Sequence, residues 1–299
     1  MKEVIIDGNK YNFIKGYKDD DRIRKSFNEL AMKTYGFDFE QWYQLGYWRN
    51  TYVPYSLMKD DKIIANVSAS NIDFWVMSER KSYVQIGTVM TDLFYRNKGL
   101  SRYLMEQVIM EWKSKCDMIY LFANDSVLNF YPKFGFKEAS QYQYYKKINN
   151  ANEFTSAQKM DMTLKEVRDM LEERIEAAVS ISKISMLKNI DIAMFYCTGF
   201  MKDNIYYLKK SDSIAVAEFV EDTLYLQDIF SNSKLDLDEI IEELAYNKIN
   251  KVVLDFTPEN TEGYLEKALD NRGTTLFVMR ENEKPFESSK FMFPVLSHT

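Results

Sequence analysis

The sequence predicts an α/β (α+β) protein in which a mixed, mostly antiparallel central sheet is flanked by helices and is followed by a second, similar unit. Three observations predict this class. Residues 54–91 are β-branched and aromatic runs broken by short turns, helical apolar spacing lies on both sides of them, and the second half repeats that order. With 299 residues, 46% of them hydrophobic, the chain is long enough for two domains with their own cores.

The first half opens with two short β-prone runs around Asp7-Gly8-Asn9, which predict a hairpin. Apolar residues at helical spacing then predict a helix over 21–33 and a short aromatic-rich helix over 39–47. Turn residues divide the β-prone region that follows, so we expect an antiparallel meander. The later elements expected in this half are strands at 55–58, 63–76, 83–90, 118–122 and 142–146 and helices at 100–112 and 127–134.

A polar stretch over 149–158 is the best linker candidate, and it predicts a first domain over 1–150 and a second over 160–299. The second domain begins with a charged helix over 164–179. Its further expected elements are strands at 193–198, 205–208, 214–220, 224–230, 252–256, 275–279 and 291–295 and helices at 237–246 and 264–269.

Composition excludes several classes of function. The 39 Lys+Arg against 45 Asp+Glu give a net charge of −6, which argues against coating nucleic acid or an anionic membrane. One histidine and two cysteines rule out a multi-histidine or four-ligand Cys/His zinc site, so we expect no metal. No run approaches the ~18 apolar residues that span a bilayer. We therefore expect a cytoplasmic protein without nucleic-acid or membrane partners, and a homo-oligomer remains open.

A short basic turn in this otherwise acidic chain is the strongest indication of a binding site. The predicted strand ending near Thr91 runs into a turn with Arg96, Lys98, Gly99 and Arg102, and that turn opens a helix. Free N–H groups, the positive end of the helix dipole and cationic side chains together make a phosphate site. Gly99 would let the backbone approach the anion closely. The alternative is an ordinary basic surface turn.

Two stretches together resemble the GNAT acetyltransferase superfamily. Arg96-x-x-Gly99-x-Ser101 matches its Arg/Gln-x-x-Gly-x-Gly/Ala motif, with Ser101 in place of the final Gly/Ala, where we expect crowding but not loss of binding. Downstream, Tyr131-Pro132-Lys133-Phe134-Gly135-Phe136 matches its Tyr-x-x-x-Gly-Phe element. The two-unit layout is similar to tandem-GNAT acetyltransferases of the enhanced-intracellular-survival type.

The resemblance implies the GNAT fold and acetyl-coenzyme A as co-substrate. It assigns the pyrophosphate to the loop and the pantetheine arm to the strand beside Val89 and Met90, where a main-chain N–H can polarise the thioester carbonyl. Asn124 matches the position that hydrogen-bonds the pantetheine, or it caps the next helix. The loop residues assigned to cofactor binding are Arg96, Asn97, Lys98, Gly99, Leu100, Ser101 and Arg102.

The resemblance also implies catalytic groups. Tyr131 matches the general acid that protonates the leaving thiolate; otherwise it is a core tyrosine. The tandem type places the terminal carboxylate in the first site, so Thr299 or His298 would act as base or hold a cationic acceptor, the alternative being a surface tail without a role. Asp92 is the carboxylate nearest the strand, and it either serves as base or starts the loop.

The acceptor pocket is the least defined part. Its candidate lining residues are Trp42, Tyr43, Tyr47 and Trp48. The alternative is that these residues belong to the aromatic core. The second half has no Arg-x-x-Gly, and acidic residues stand where a pyrophosphate would bind, so we expect a degenerate GNAT-like domain that shapes the pocket.

The predicted function is an acetyl-CoA-dependent N-acetyltransferase in which a small primary amine attacks directly in a ternary complex. The alternative is a non-catalytic acyl-CoA-binding sensor or regulatory protein of the same fold. A transferase using charged tRNA is disfavoured by the acidic balance.

Overall fold

The computed structural model describes residues 1–148, 153, 155–270, 273–279 and 288–298. The first half contains β1 (Lys2–Ile6), β2 (Asn9–Lys15), α1 (Asp21–Tyr35), α2 (Glu40–Gln44), β3 (Tyr52–Lys59), β4 (Lys62–Val76), β5 (Glu79–Thr91), α3 (Leu100–Trp112), β6 (Met118–Ala123), β7 (Phe136–Glu138) and β8 (Tyr142–Lys147). Short 3₁₀ turns lie at Leu93–Tyr95, Asp125–Val127 and Tyr131–Phe134.

The second half contains β9 (Gln158–Lys159), α4 (Lys165–Ala177), β10 (Ile184–Met186), α5 (Ile190–Thr198), β11 (Ile205–Leu208), β12 (Ser213–Val220), β13 (Thr223–Phe230), α6 (Leu237–Leu244), β14 (Lys251–Leu254), β15 (Leu265–Ala268) and β16 (Thr275–Met279). A 3₁₀ turn at Val295–Ser297 lies in the C-terminal segment.

Two sheets form the protein. The larger follows the order β1-β2-β3-β4-β5-β6-β16-β7 with β10 beside β4, and the smaller follows β15-β8-β14-β13-β12-β11-β9. Each sheet has one parallel pair among its described strands, β5 with β6 and β13 with β14. The predicted class, a mixed and mostly antiparallel sheet flanked by helices, is confirmed.

The two halves exchange strands. Residues 275–279 of β16 lie between β6 and β7 in the larger sheet, where Phe277 is in register with Leu121. Conversely, β8 lies between β14 and β15 in the smaller sheet, with Tyr144 opposite Leu254. Each sheet is thus completed by the other half of the chain. The limits 1–150 and 160–299 stay a prediction, and β8, which lies within the first of them, pairs in the second sheet.

Three expected elements of the second half are wrong. Residues 193–198 lie in the helix α5, because the Asn189 side chain caps the Ile192 N–H (3.2 Å) and both faces of the segment are buried. The expected helix near 264–269 is the strand β15, paired with β8. Residues 291–295 form no strand, since Met292 and Phe293 donate their N–H groups to the Thr257 Oγ1 and Gln141 Oε1 side chains.

The core continues across the two halves. A cluster rich in aromatic residues from α1 and α2, including Phe27, Phe39 and Trp42, packs together with Met194 and Cys197 of α5. Burial of several large aromatic rings contributes strongly to stability, at about 25 cal/mol per Å² of apolar surface. The resulting contact fixes α5 beside α2, and residues of both helices line the candidate site.

Candidate active site

The parallel strands β5 and β6 separate at the site. Their register runs from Tyr83 opposite Met118 to Ile86 opposite Leu121, and β5 then continues to Thr91 without a β6 partner. On its other edge β5 has an irregular register opposite residues 66–68, and Thr88 adopts φ +48°. A bulge of this kind redirects the strand and frees backbone groups from the ladder.

Side chains hold the bulge in place. Asn66 donates through Nδ2 to the Thr88 carbonyl at 2.9 Å, and the Tyr52 hydroxyl donates to Thr88 Oγ1 at 2.7 Å. The Tyr35 hydroxyl donates to the Val89 carbonyl at 3.1 Å. The conformation of this end of β5 is therefore well defined, because three polar side chains form hydrogen bonds to it.

The loop after β5 is preorganised for an anion. Asn97 and Gly99 both have left-handed backbone conformations, at φ +61° and +74°. Gly99 is the N-cap of α3, and no described side chain caps that helix, whose first described backbone bond runs from Tyr103 N to the Gly99 carbonyl at 3.0 Å. The N–H groups of the first turn therefore stay available for an anionic ligand.

The cations of this loop are exposed and the loop is tied to β5. Ser101 Oγ lies 2.6 Å from Thr91 Oγ1, and Arg96 Nε donates to the Thr91 carbonyl at 3.4 Å. Lys98 Nζ stands 4.9 Å from the centroid of the Tyr95 ring. Asp92 is engaged locally, since its Oδ1 accepts the Phe94 N–H at 3.0 Å, which is the loop-starting arrangement.

One cavity of about 1160 Å³ joins this loop to both halves of the chain. It is lined by many of the residues expected at the site, namely Trp42, Val89, Met90, Arg96, Asn97, Gly99, Leu100, Ser101, Arg102, Asn124, Tyr131 and His298. Residues of α5 and the segment after it add a further wall.

Four expected residues do not line the cavity within the described part of the chain. Lys98 turns toward Tyr95, and the ring of Tyr43 lies 3.6 Å from the Arg24 guanidinium carbon. Tyr47 donates its hydroxyl to Glu172 at 2.6 Å, and Trp48 is 2% exposed within the aromatic core. Of these aromatic residues, Tyr47 links the two halves through its bond to Glu172. Thr299 lies outside the described residues.

Tyr131 lies at the start of the 3₁₀ turn that Gly135 ends at φ +88°. Its ring packs against Phe130 at 5.3 Å and Phe277 of β16 at 5.9 Å between centroids. Burial raises the pKa of Tyr131 to about 12, so the phenol stays protonated at neutral pH. The hydroxyl is thus in the form that can donate a proton.

Asn124 lines the cavity and does not cap the turn that follows it. Its Oδ1 accepts a hydrogen bond from Ser126 Oγ at 2.5 Å, and no described backbone N–H of the 3₁₀ turn bonds to its side chain. The Nδ2 group remains able to donate to a ligand in the cavity.

His298 reaches the cavity from the C-terminal segment. Its ring stacks on Phe122 with centroids 3.7 Å apart, and the Tyr196 hydroxyl donates to its carbonyl at 2.7 Å. Its Nε2 atom is buried without a partner among the described residues. Burial lowers the pKa of His298 to about 3, so the imidazole is neutral at pH 7.

Contacts along the C-terminal segment position His298 at the cavity. The Val295 N–H donates at 3.1 Å to the carbonyl of Asp255, the residue directly after β14 of the smaller sheet. The Phe293 ring stacks on Tyr120 of β6 with centroids 4.1 Å apart and an interplanar angle of 4°. The segment therefore crosses from the second sheet to the first.

Several lining residues are not evident from the sequence. Phe195, Tyr196 and Phe200 form part of the cavity wall, although the apolar pattern of 193–198 predicts a strand in place of the helix α5. The run Phe195-Tyr196 followed by Phe200 is the only signal, and it does not reveal that these residues line the cavity. Tyr35 and Tyr52, which hold the bulge, give no signal of that role either.

Comparison with known proteins agrees with this geometry. Residues 21–136 match the acetyltransferase (GNAT) family, and no curated protein matches the chain significantly. A conserved protein of unknown function and probable N-acyltransferase from Enterococcus faecalis V583 is 13% identical, covers 89% of this chain and 71% of its own, and superposes with a TM-score of 0.60. Eis1 from Mycobacterium abscessus is 11% identical, with 89% and 72% covered and a TM-score of 0.54.

A GCN5-related N-acetyltransferase from Kribbella flavida is 11% identical, with 90% and 73% of the two chains covered and a TM-score of 0.53. At these identities the likeness shows a shared fold. Residues 21–136 match the GNAT family, and the chain as a whole shares the fold of these solved structures, Eis1 among them, as the resemblance implies.

The described residues lack two other kinds of feature. No helix among them is long and apolar enough to cross a bilayer. No group of three His, Cys, Asp or Glu side chains in the same ranges is placed to hold a metal ion.

Proposed function

We propose that the protein is an acetyl-CoA-dependent N-acetyltransferase in which a small primary amine attacks directly in a ternary complex. One observation carries the proposal. One cavity contains the uncapped start of α3 at Gly99, the end of β5 that has no β6 partner, and the protonated Tyr131 phenol. These three features would provide an anion site, a binding site for the extended pantetheine arm and a proton donor.

The residues present fit acetyl-CoA. The exposed Arg96 and Arg102 would balance the phosphate charges, and the N–H groups of the first turn of α3 would hold the pyrophosphate. Backbone groups near Val89 and Met90, with the Asn124 amide, would bind the pantetheine arm. Acetyl-CoA supplies an acetyl group already activated as a thioester.

The second half fits a supporting role. The helix that follows β13, α6, is capped by Asp236, whose Oδ1 accepts the Asp238 N–H at 2.8 Å, and Asp238 and Glu239 lie in its first turn. A carboxylate already occupies the position that an anion would take, and like charge opposes a phosphate. This contrast with Gly99 supports a degenerate second domain that shapes the acceptor site.

Proton transfers complete the mechanism. The Tyr131 hydroxyl donates to the leaving sulfur, a contribution of about 10² to 10⁴ in rate. The resemblance offers two groups to accept the proton lost by the attacking nitrogen, the Thr299 carboxylate and the His298 Nε2 atom. The latter is buried and unpartnered among the described residues, and its low pKa makes it the weaker base of the two.

The test combines binding with turnover. Titration of CoA into the full chain, followed by calorimetry, should give saturable binding, and acetyl-CoA with a panel of primary amines should release thiol. Binding without thiol release from any amine would support the acyl-CoA sensor instead. Absence of CoA binding would contradict both functions.

A further inference from the structure

A hydrogen bond from the helix α5 holds the C-terminal segment at the cavity. The Tyr196 hydroxyl donates to the His298 carbonyl at 2.7 Å, and Tyr196 also lines the cavity itself. Burial raises the pKa of Tyr196 well above its usual value, so the phenol stays protonated and remains a donor at neutral pH. Loss of this partly buried bond would be costly, because its acceptor would have to find another partner.

The helix α5 is a firm support for this bond, because its first turn is tied to the first half of the chain. Trp42 donates its indole N–H to the Asp191 carbonyl at 2.8 Å. The Asp191 carboxylate, which is buried, pairs with Arg49 at 3.4 Å and accepts a hydrogen bond from the Thr51 hydroxyl. These contacts fix the helix that carries Tyr196 relative to the cavity.

The ring of His298 is held separately from its main chain. It stacks on Phe122 of β6, with centroids 3.7 Å apart, and Phe122 lines the same cavity. The carbonyl is held by α5 of the second half, and the ring is held by β6 of the first. Two contacts of different kinds therefore define the direction of this residue.

Both candidate proton acceptors adjoin the peptide unit that Tyr196 holds, since His298 precedes that unit and Thr299 follows it. A peptide unit is planar, so a hydrogen bond to its oxygen restricts the direction of the chain on both sides. Proton transfer requires the two groups to lie within hydrogen-bond reach of each other. A misplacement of about 1 Å can cost about 10²-fold in rate.

From these contacts, and resting on the proposed function, we propose that Tyr196 is a positioning residue for the transfer of the proton from the attacking amine. Its hydroxyl acts through the peptide unit between His298 and Thr299 and takes no proton itself. By holding that unit, it keeps the proton acceptor within reach of the attacking nitrogen. The inference applies to either acceptor, because the bond lies on the peptide unit between them.

Tyr196→Phe is the central variant, because it removes the hydroxyl and keeps a ring on the cavity wall. The reaction is thiol release from acetyl-CoA with spermidine, tyramine or benzylamine as the acceptor. We expect kcat to fall about fivefold and the Kd for CoA to stay unchanged.

Tyr144→Phe is the matched control. Tyr144 also donates its hydroxyl to a carbonyl of the C-terminal segment, that of Lys290 at 3.4 Å, but it is not among the described residues that line the cavity. This variant should change neither kcat nor the Kd for CoA. A fall in kcat equal to that of Tyr196→Phe would show that any loosening of the segment is enough, and it would overturn the inference.

A second measurement follows the end of the chain without any turnover. Carboxypeptidase Y cleaves C-terminal residues when the end of the chain leaves its place, so the rate of release reports the open fraction. We expect Tyr196→Phe to release Thr299 and His298 about fivefold faster than the native chain does. Tyr144→Phe should leave this rate unchanged.

Removal of His298 and Thr299 tests whether Tyr196 acts through them. A chain that ends at Ser297 should lose at least as much of kcat as Tyr196→Phe does. Adding Tyr196→Phe to the shortened chain should cause no further loss, because the hydroxyl then has nothing left to position. A further loss would show that Tyr196 acts independently of the last two residues, and it would overturn the inference.

The outcomes separate the two proposals. An unchanged kcat in Tyr196→Phe, an unchanged rate of release, or a shortened chain that is faster than Tyr196→Phe overturns the inference and leaves the acetyltransferase function standing. Absence of both CoA binding and thiol release in the native chain contradicts the acetyltransferase function itself, and the positioning role in proton transfer fails with it.

Discussion

The Tyr131 ring packs on Phe277, a residue that follows it by almost half the chain, with centroids 5.9 Å apart. Phe277 belongs to β16, the strand that the second half contributes to the first sheet, and it is 3% exposed. The proposed acid of the first domain is therefore supported by a side chain of the second half. Strand exchange therefore places a side chain of the second half against the proposed acid.

Removing that support should affect both stability and turnover. Phe277→Ala leaves a cavity in the core, and we expect a loss of about 3–5 kcal/mol in the free energy of unfolding. Turnover with acetyl-CoA should fall because the Tyr131 ring loses a packing partner. Urea unfolding and steady-state thiol release measure the two effects. Phe277→Leu, which keeps most of the volume, should show smaller changes in both; equal damage from both variants would contradict a packing role.

The left-handed conformation of Gly99 predicts a specific loss of affinity. Alanine at this position costs about 1–2 kcal/mol in backbone strain, and its Cβ would lie 3.5 Å from Ile6 Cγ2. We expect the loop to shift and the Kd for CoA, measured by calorimetry, to rise about tenfold.

Gly263→Ala is the matched control for this variant. Gly263 has φ +80°, and outside its two chain neighbours no heavy atom of the described residues lies within 4 Å of the position that an alanine Cβ would take, so the substitution brings the same backbone strain away from the cavity. It should lower the melting temperature without changing the Kd. A similar rise in Kd in both variants would show that the effect is general destabilisation.

Asp228 predicts a pH dependence of stability. Burial raises its pKa to about 7, whereas an unfolded Asp titrates near pH 4. Between these values the folded state binds more protons than the unfolded state, so the free energy of unfolding falls as pH rises from about 4 to about 7 and then levels off. Asp228→Asn removes this penalty and should be more stable than the native chain by about 2–4 kcal/mol at pH 8, and nearly equal to it at pH 4.

Thermal melts of both proteins at pH 4.5 and pH 8 measure this difference. Asp203→Asn is the control, since Asp203 is exposed and pairs with Lys159 at 3.4 Å on the surface. Its melting temperature relative to the native chain should change little between the two pH values. An Asp228→Asn effect of equal size at both would contradict the assigned titration.

Local patterns predict the parts of the fold that depend on near neighbours. The three-stranded meander, the helix α3 and the loop with Gly99 follow from alternation, helical spacing and one glycine. Local patterns do not predict the strand exchange, because β8 and β16 have ordinary strand sequences. These sequences do not indicate which sheet each strand joins. Their partners are decided by long-range packing.

The aromatic residues show the same limit at the site. Residues 193–198 are apolar on all sides, and a short apolar run does not distinguish a buried helix from a strand. A strand there would place Phe195 away from the pocket that it in fact lines. Conversely, Tyr47 and Trp48 lie close to Trp42 in the sequence and are therefore candidates for the acceptor pocket. In the structure Tyr47 bonds to Glu172 and Trp48 lies in the core.

In the proposed mechanism Tyr131 protonates the leaving sulfur, and the cavity binds CoA independently of that hydroxyl. The most direct measurement compares Tyr131→Phe with the native chain for both turnover with acetyl-CoA and the Kd for CoA. We expect Tyr131→Phe to turn over at least about tenfold more slowly with an unchanged Kd. Unchanged turnover would show that Tyr131 is not the proton donor.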